Sequence, residues 1–303
     1  MSPVTPSMMS DPVAPLPAVG YVGLGMMGAP MAHRLLAADY PLTVWNRNRH
    51  KIAKLIGDGA TPADTPAELA RNSVVVMMCL LDTAAVEQVV FGPDGIAHGI
   101  QKGAVLIDFS SIRPDATRAF AKRLREATGA GWIDAPVSGG VPGAERGTLA
   151  IMAGGEAADI ERVRPIVMTL CQRFTHMGPS GAGQITKLCN QILVGCTMAL
   201  VAEATKLALN AGIDAAKLPE CLRGGFADSP VMQIWIPRML ARKFEEKLGD
   251  SYIMLKDLDT AHALGRETGT PLPMTTTAAE LFRLLNVKGG AEWDPAALIS
   301  LYD

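Results

Sequence analysis

Ala18-Val-Gly20-Tyr-Val-Gly23-Leu24-Gly25-Met26-Met27-Gly28-Ala-Pro-Met-Ala32 decides the fold of this chain. An apolar run leads directly into glycines at Gly23, Gly25 and Gly28, and an apolar helical pattern follows. Strand, tight glycine turn and helix in that order bring backbone N–H groups and a helix N-terminus to one point, where a pyrophosphate is stabilised. A lone G-x-G-x-x-G is a weak signal. Here a second apolar run, Leu42-Thr-Val-Trp45, completes a strand–helix–strand unit, so dinucleotide binding is expected along Gly23, Leu24, Gly25, Met26 and Met27. The alternative is a glycine turn used only for packing.

The residues after that second strand report on the ribose. An acid there would accept from a 2′-hydroxyl and favour NAD, but this chain has Asn46-Arg47-Asn48-Arg49. Guanidinium groups match a 2′-phosphate through charge-assisted hydrogen bonds. NADP(H) is therefore the preferred cofactor, contacted by Asn46, Arg47 and Asn48. NAD(H) is the alternative, with Arg47 and Arg49 as solvated loop charges.

Working outward, Val74-Val-Val-Met-Met-Cys79, Ala104-Val-Leu-Ile-Asp108 and Trp132-Ile-Asp-Ala-Pro136 are further strand-like runs. Segments 26–39, 83–91 and 114–128 between them carry helical patterns. Continuous apolar strands separated by helices imply a parallel sheet covered on both faces. After Gly178-Pro-Ser-Gly-Ala-Gly183 no convincing strand is found, and helices are expected near 182–211, 214–223, 231–243, 250–268 and 273–287. The expected fold is α/β: an N-terminal Rossmann-type doubly wound parallel sheet over 18–180, then an all-α C-terminal domain over 181–303 for substrate and oligomer contacts. Residues 1–17, with five prolines and no Lys or Arg, are expected to form a flexible tail and not a targeting peptide. Cys79, Leu80 and Leu81 should lie along the cofactor at the carboxyl edge of the sheet, where Ser110 and Ser111 also emerge.

Composition removes several function classes. The 303 residues carry 28 basic and 30 acidic side chains, a formal charge of −2. This leaves no general attraction to nucleic acid or anionic lipid. Five scattered cysteines, mostly within apolar runs and without a C-x-x-C pair, read as buried reduced thiols of a cytoplasmic protein, and five dispersed histidines show no metal-ligand spacing. No metal is expected. The apolar run from Leu188 to Ala202 falls short of a membrane span and contains Asn190 and Gln191, so a buried core helix is expected.

One charge interrupts that segment. In Gly181-Ala-Gly-Gln-Ile-Thr-Lys187-Leu-Cys-Asn190-Gln191, Lys187 is followed by fifteen residues without charge, 188 to 202. Gln184, Lys187 and Asn190/Gln191 share one helix face, which is how a proton donor would be mounted. A lysine snorkelling from an amphipathic helix is the alternative. Upstream, Asp134-Ala-Pro-Val-Ser138-Gly139-Gly140 places a hydroxyl and two unshielded N–H groups after a strand, a cluster able to cradle a carboxylate or simply a turn.

Taken in order, the glycine fingerprint, Asp108-Phe-Ser-Ser111, the loop from Asp134 to Gly140, the helix from Gly181 to Gln191 and Lys256-Asp257 resemble the β-hydroxyacid dehydrogenase family over about residues 18 to 303. Within it, the 134–140 loop, Lys187-Leu-Cys-Asn-Gln191 and Arg223-Gly-Gly225 are most similar to the tartronate semialdehyde reductases, with 3-hydroxyisobutyrate dehydrogenases close behind. The resemblance implies that Lys187 is the acid/base and that Asn190 holds substrate or lysine. It also implies that Ser111, Ser138, Gly139 and Gly140 bind a small carboxylate substrate, and that Lys256 reaches the cofactor. Many members have Asn where this chain has Gln191, so either Asn190 or Gln191 orients the substrate. A homodimer or homotetramer built on the helical domains is implied too. The Asn46-Arg47 pair looks like NADPH-using glyoxylate and succinic semialdehyde reductases. A 6-phosphogluconate dehydrogenase would need a longer helical domain, and imine reductases usually replace the lysine. A nucleotide-binding sensor or scaffold is the non-enzyme alternative.

Overall fold

The computed structural model describes residues 15–303, so residues 1–14 of the expected tail lie outside the described residues. Among the described residues nine strands form one sheet: β1 (Val19–Val22), β2 (Leu42–Trp45), β3 (Thr61–Pro62), β4 (Val75–Met78), β5 (Val105–Asp108), β6 (Gly131–Asp134), β7 (Val137–Ser138), β8 (Leu149–Gly154) and β9 (Cys171–Gly178). Their order is β3-β2-β1-β4-β5-β6-β8-β7, with β9 added against β8. Strands β1 to β6 pair in parallel, whereas β8 runs antiparallel to β6 and β7. The sheet is therefore parallel-dominated and not wholly parallel.

Every residue of β1, β4, β5 and β6 is buried, which is why these runs are continuously apolar. Alternate residues feed opposite cores: Val19, Tyr21, Met77, Ile107 and Ile133 on one face, Val22, Val76, Met78, Leu106 and Trp132 on the other. Helices cover both faces: α1 (Gly28–Ala37), α2 (Ala53–Gly57), α3 (Pro66–Arg71), α4 (Thr83–Phe91), α5 (Pro114–Thr128), α6 (Gly140–Arg146) and α7 (Ala157–Val167). In-register pairing ends Val22 beside Trp45 and Met78, and Met78 beside Asp108, which ends beside Asp134. These residues define one carboxyl edge. Strand order reverses between β1 and β4, the crevice where open α/β sheets bind ligands.

The structure departs from the expected elements at the first helix and in the sheet. The first helix begins at Gly28, so Met26 and Met27 belong to the turn. Strands β3, β7, β8 and β9 lie outside the five strand-like runs of the sequence: β3 and β7 are only two residues long, β8 is rich in Ala and Gly, and β9 exposes Gln172, Arg173, Thr175 and His176 at the sheet margin, without apolar alternation.

After β9 the described residues are helical: α8 (Ala182–Asn210), α9 (Leu218–Cys221), α10 (Pro230–Ala241), α11 (Ser251–Thr268) and α12 (Pro273–Leu285), with short 3-10 and π turns. By length and composition α8 is apolar enough to cross a membrane, with an 18-residue window of mean hydropathy 1.7, which corrects the shorter run counted from sequence. It serves here as the central rod of a third core: Met198, Val201 and Ala202 pack among Met239, Leu258, Phe282 and Leu298.

Candidate active site

The glycine turn is built by close backbone approach. Gly23 has φ +88°, and a Cβ there would lie 2.4 Å from the Cys79 carbonyl oxygen. A Cβ on Gly28 would lie 1.9 Å from the Gly23 oxygen, so α1 could not approach β1 as it does. At Gly25 a Cβ would meet nothing within 4 Å. Protein packing therefore explains two of the glycines and leaves Gly25 facing open space, as expected where backbone must approach a pyrophosphate. The first turn of α1 contains no acid and no side-chain cap, so its N-terminal positive end is uncompensated. These residues fit a dinucleotide.

The turn is pinned to the end of β2. Leu24 N–H donates to Asn46 Oδ1 at 2.9 Å, and Asn46 Nδ2 donates to the Asn48 carbonyl at 2.8 Å. Asn48 Oδ1 is occupied by the His50 N–H, capping a short 3-10 turn. Both amides thus shape the loop. Arg49 pairs with Asp64 at 2.8 Å, while exposed Arg47 has no ion pair or side-chain hydrogen bond among the described residues. Of the two guanidiniums, Arg47 is the one available to a ligand.

Along the same edge, half-buried Leu80 follows β4, its N–H donating to Ser110 Oγ at 2.8 Å. Cys79 is half-buried with its thiol pushed up to about 12 by burial and then by Asp108, so it is inert as a thiolate. Leu81 is exposed. Ser110 N–H donates to Asp108 Oδ1 at 2.9 Å, while Asp108 Oδ2 is buried without a partner. Burial, aided by the neighbouring Asp134, pushes Asp108 up to about 7 against the lowering bonds from Ser110.

Asp134 explains how the lysine helix is seated. Its carboxylate accepts from Gly181 N–H at 2.8 Å and Gln184 N–H at 3.0 Å, satisfying donors that the N-terminus of α8 would otherwise leave orphaned. Burial raises Asp134 to about 6 despite those bonds. Gly183 lets the helix cross this point: a Cβ would lie 2.4 Å from the Met152 oxygen and 2.5 Å from the Asp134 oxygen.

One turn on, Lys187 Nζ donates to the Val137 carbonyl at 2.8 Å. Val137 precedes Ser138, Gly139 and Gly140, and the two glycines take φ of +129° and +61° where α6 begins. The half-buried ammonium therefore sits against the expected carboxylate loop and does not snorkel away from it. Burial pushes the Lys187 pKa down, opposed by the Asp257 carboxylate and reinforced by Lys256. From α11, Lys256 Nζ reaches across to the Ser111 carbonyl at 2.9 Å and pairs with Asp257 at 3.2 Å. A cleft of about 690 Å³ is lined by Lys256 and Arg113.

Asn190 and Gln191 part company. Gln191 is buried, donating to Asp257 Oδ2 at 2.7 Å and accepting from Asn190 Nδ2 at 2.8 Å. Asn190 is half-buried and keeps its carbonyl oxygen uncommitted among the described residues. Asp134, Gln184 and Asp257 carry structural weight that the sequence did not assign them. The only signal was placement: an acid ending an apolar strand, an amide one turn before the lysine, and an acid adjoining Lys256.

Two family descriptions match the chain: "NAD binding domain of 6-phosphogluconate dehydrogenase" over residues 18–178, and "NAD-binding of NADP-dependent 3-hydroxyisobutyrate dehydrogenase" over 181–302. The chain is 37% identical over 282 residues to 2-hydroxy-3-oxopropionate reductase of Escherichia coli (strain K12), covering 93% of this chain and 95% of that one. Among solved structures it is similar to a 3-hydroxyisobutyrate dehydrogenase from Salmonella typhimurium, with TM-score 0.86 and 28% identity, covering 94% and 99% of the two chains. It is equally similar, at TM-score 0.86 and 27% identity over 94% of this chain and 100% of the other, to Psf3 in complex with NADP+ and 2-OPP.

Proposed function

We propose that this chain, which belongs to the β-hydroxyacid dehydrogenase family of NAD(P)-dependent oxidoreductases, reduces a small semialdehyde carboxylate with NADPH, tartronate semialdehyde to glycerate being the first choice. The observation that carries this reading is the Lys187 ammonium held 2.8 Å from the carbonyl that opens the Ser138-Gly139-Gly140 loop. A proton donor and a carboxylate cradle on one short span match a substrate whose carbonyl lies close to its carboxylate. The similarity to 2-hydroxy-3-oxopropionate reductase supports the choice within that class. 3-Hydroxyisobutyrate oxidation and glyoxylate or succinic semialdehyde reduction are the competing assignments.

The reduced nicotinamide supplies the hydride. Gly23, Leu24, Gly25, Met26 and Met27 would hold the pyrophosphate, with Asn46, Arg47 and Asn48 at the ribose and Cys79, Leu80 and Leu81 along the edge. Ser111, Ser138, Gly139 and Gly140 would orient the carboxylate. Lys187 protonates the developing alkoxide, and a well-placed general acid is worth roughly 10²–10⁴-fold in rate. Burial lowers its pKa, the direction that favours the neutral amine needed as base in the reverse reaction. Because Gln191 is committed to Asp257, the free carbonyl of Asn190 is the better candidate to receive a substrate hydroxyl. Lys256 bridges to the Ser111 loop and would meet the cofactor from the helical side.

A homodimer or homotetramer belongs to the same proposal. Leu193, Leu200 and Leu207, spaced by seven on α8, are 70%, 52% and 71% exposed, an apolar stripe suited to a second helical surface. A cytoplasmic location is proposed on the five unpaired cysteines, of which Cys189 and Cys221 are exposed and not buried as expected. The test of function is NADPH and NADH oxidation against tartronate, methylmalonate and succinic semialdehydes and glyoxylate. The highest kcat/KM is expected for tartronate semialdehyde with NADPH, and turnover of none would defeat the reading.

A further inference from the structure

Gln184 lies one turn before Lys187 and is 1% exposed. Its Oε1 accepts from the Ile112 N–H at 3.1 Å, and its Nε2 donates to the Ser110 carbonyl at 2.8 Å. Its own N–H donates to Asp134 Oδ2 at 3.0 Å. One side-chain amide therefore grips the loop on both sides of Ser111, while its backbone is anchored to the strand that leads into Ser138. Ser111 in turn receives Lys256 on its carbonyl. A group whose two ends are both spent on one loop, and whose helix carries the ammonium three residues later, sets the separation between them.

We propose that Gln184 is a positioning residue that holds the 110–112 loop and the Lys187 ammonium in register for the substrate. The proposal rests on the reading of Lys187 as the proton donor. It also makes a chemical demand that mere filling of space would not make: one end must accept and the other must donate. Methionine fills similar volume and does neither, leaving a buried N–H and a buried C=O unpaired. A carboxyl group at this position meets the demand only when protonated, because the ionised form would oppose one oxygen to the Ser110 carbonyl. Burial and that opposition both favour the protonated form.

The groups facing this point are Asp134 on β6, Asp108 at the end of β5, Lys187 on α8, Lys256 on α11 and Arg118 of α5 beside Gly181. Asp108 and Asp134, raised to about 7 and about 6, become anionic over the same range and oppose ionisation of a carboxyl placed at 184, so they reinforce its protonation, and activity is read as the ratio to wild type at each pH.

The experiment uses the full chain. Gln184→Met should lower kcat/KM for the preferred semialdehyde by about 10- to 100-fold, the scale of a small misplacement of reacting groups, with the NADPH Kd unchanged within about 3-fold. In the cofactor-free protein, amides of residues 108–113 should lose hydrogen-exchange protection selectively. For Gln184→Glu, activity relative to wild type should rise as pH falls from 8 to 5.5. A flat or opposite pH trend, or Gln184→Met turnover within about 3-fold of wild type, overturns the proposal. If wild type reduces no semialdehyde, the functional reading fails by itself. The exchange pattern then decides the clamp: selective loss at 108–113 supports it, and unchanged protection overturns it.

Discussion

Arg47 and Arg49 flank the expected 2′-phosphate position, yet the structure assigns them different fates, and that difference can be read as a number. Arg47 is exposed and unpaired among the described residues, so Arg47→Ala breaks nothing inside the protein. Arg49 already pairs with Asp64 in an exposed contact, 62% and 79% open, of the kind worth about 0–1 kcal/mol. A hydrogen bond to a charged group contributes about 1.5–3 kcal/mol, and each 1.4 kcal/mol is tenfold in affinity. Arg47→Ala should therefore weaken NADPH binding by roughly 10- to 150-fold. NADH, which lacks the phosphate, should be affected by less than about 3-fold, and Arg49→Ala should cost NADPH less than about 5-fold. Fluorescence titration of both nucleotides at two salt concentrations gives all of these values, and the Arg47 effect should shrink at high salt as the phosphate is screened. Equal losses for NADPH and NADH, or a larger effect at Arg49, would refute the assignment.

Asp108 makes a stability prediction. Its folded value of about 7 against an ordinary 3.8 means that the native state holds the proton more tightly, so its contribution to stability is full below about pH 4 and lost as pH rises through about 7. Asp108→Asn keeps an acceptor for Ser110 and should stabilise the protein at pH 8 by up to the order of 4 kcal/mol, falling towards zero near pH 4. Urea midpoints across that range check it, and an increment independent of pH would contradict it. Leu200→Glu, in the middle of the exposed α8 stripe, should convert the proposed homo-oligomer to a smaller species in analytical ultracentrifugation without changing the helical content. An unchanged mass would remove the stripe from the interface.

Local order was the legible part of this molecule. The run from Ala18 to Ala32 dictates strand, turn and helix because each glycine has a steric or ligand-facing reason to lack a side chain. The central strands announce themselves because burial on both faces demands unbroken apolar residues. The same logic hid β9, whose exposed polar residues resemble a loop until β8 is placed beside it. Lys187 stood out by its isolation, and its contact with Val137 needed only a helix and a loop already suspected. In the sequence Gln184 is one member of a polar helix face, and Gln191 is besides that a candidate to orient the substrate. Their commitments, to the 110–112 loop and to Asp257, cross 72 and 66 positions of sequence, and no spacing encodes such pairing. Asp134 stands in the sequence where a strand-like run meets a loop, and its capping of α8 crosses 47 and 50 positions.

The most direct test is the turnover of Lys187→Ala with saturating NADPH and the preferred semialdehyde. Loss of the positioned ammonium should lower kcat by about 10²–10⁴-fold while the NADPH Kd stays near wild type. Retention of more than about a tenth of wild-type kcat, with cofactor binding intact, would contradict the role given to Lys187.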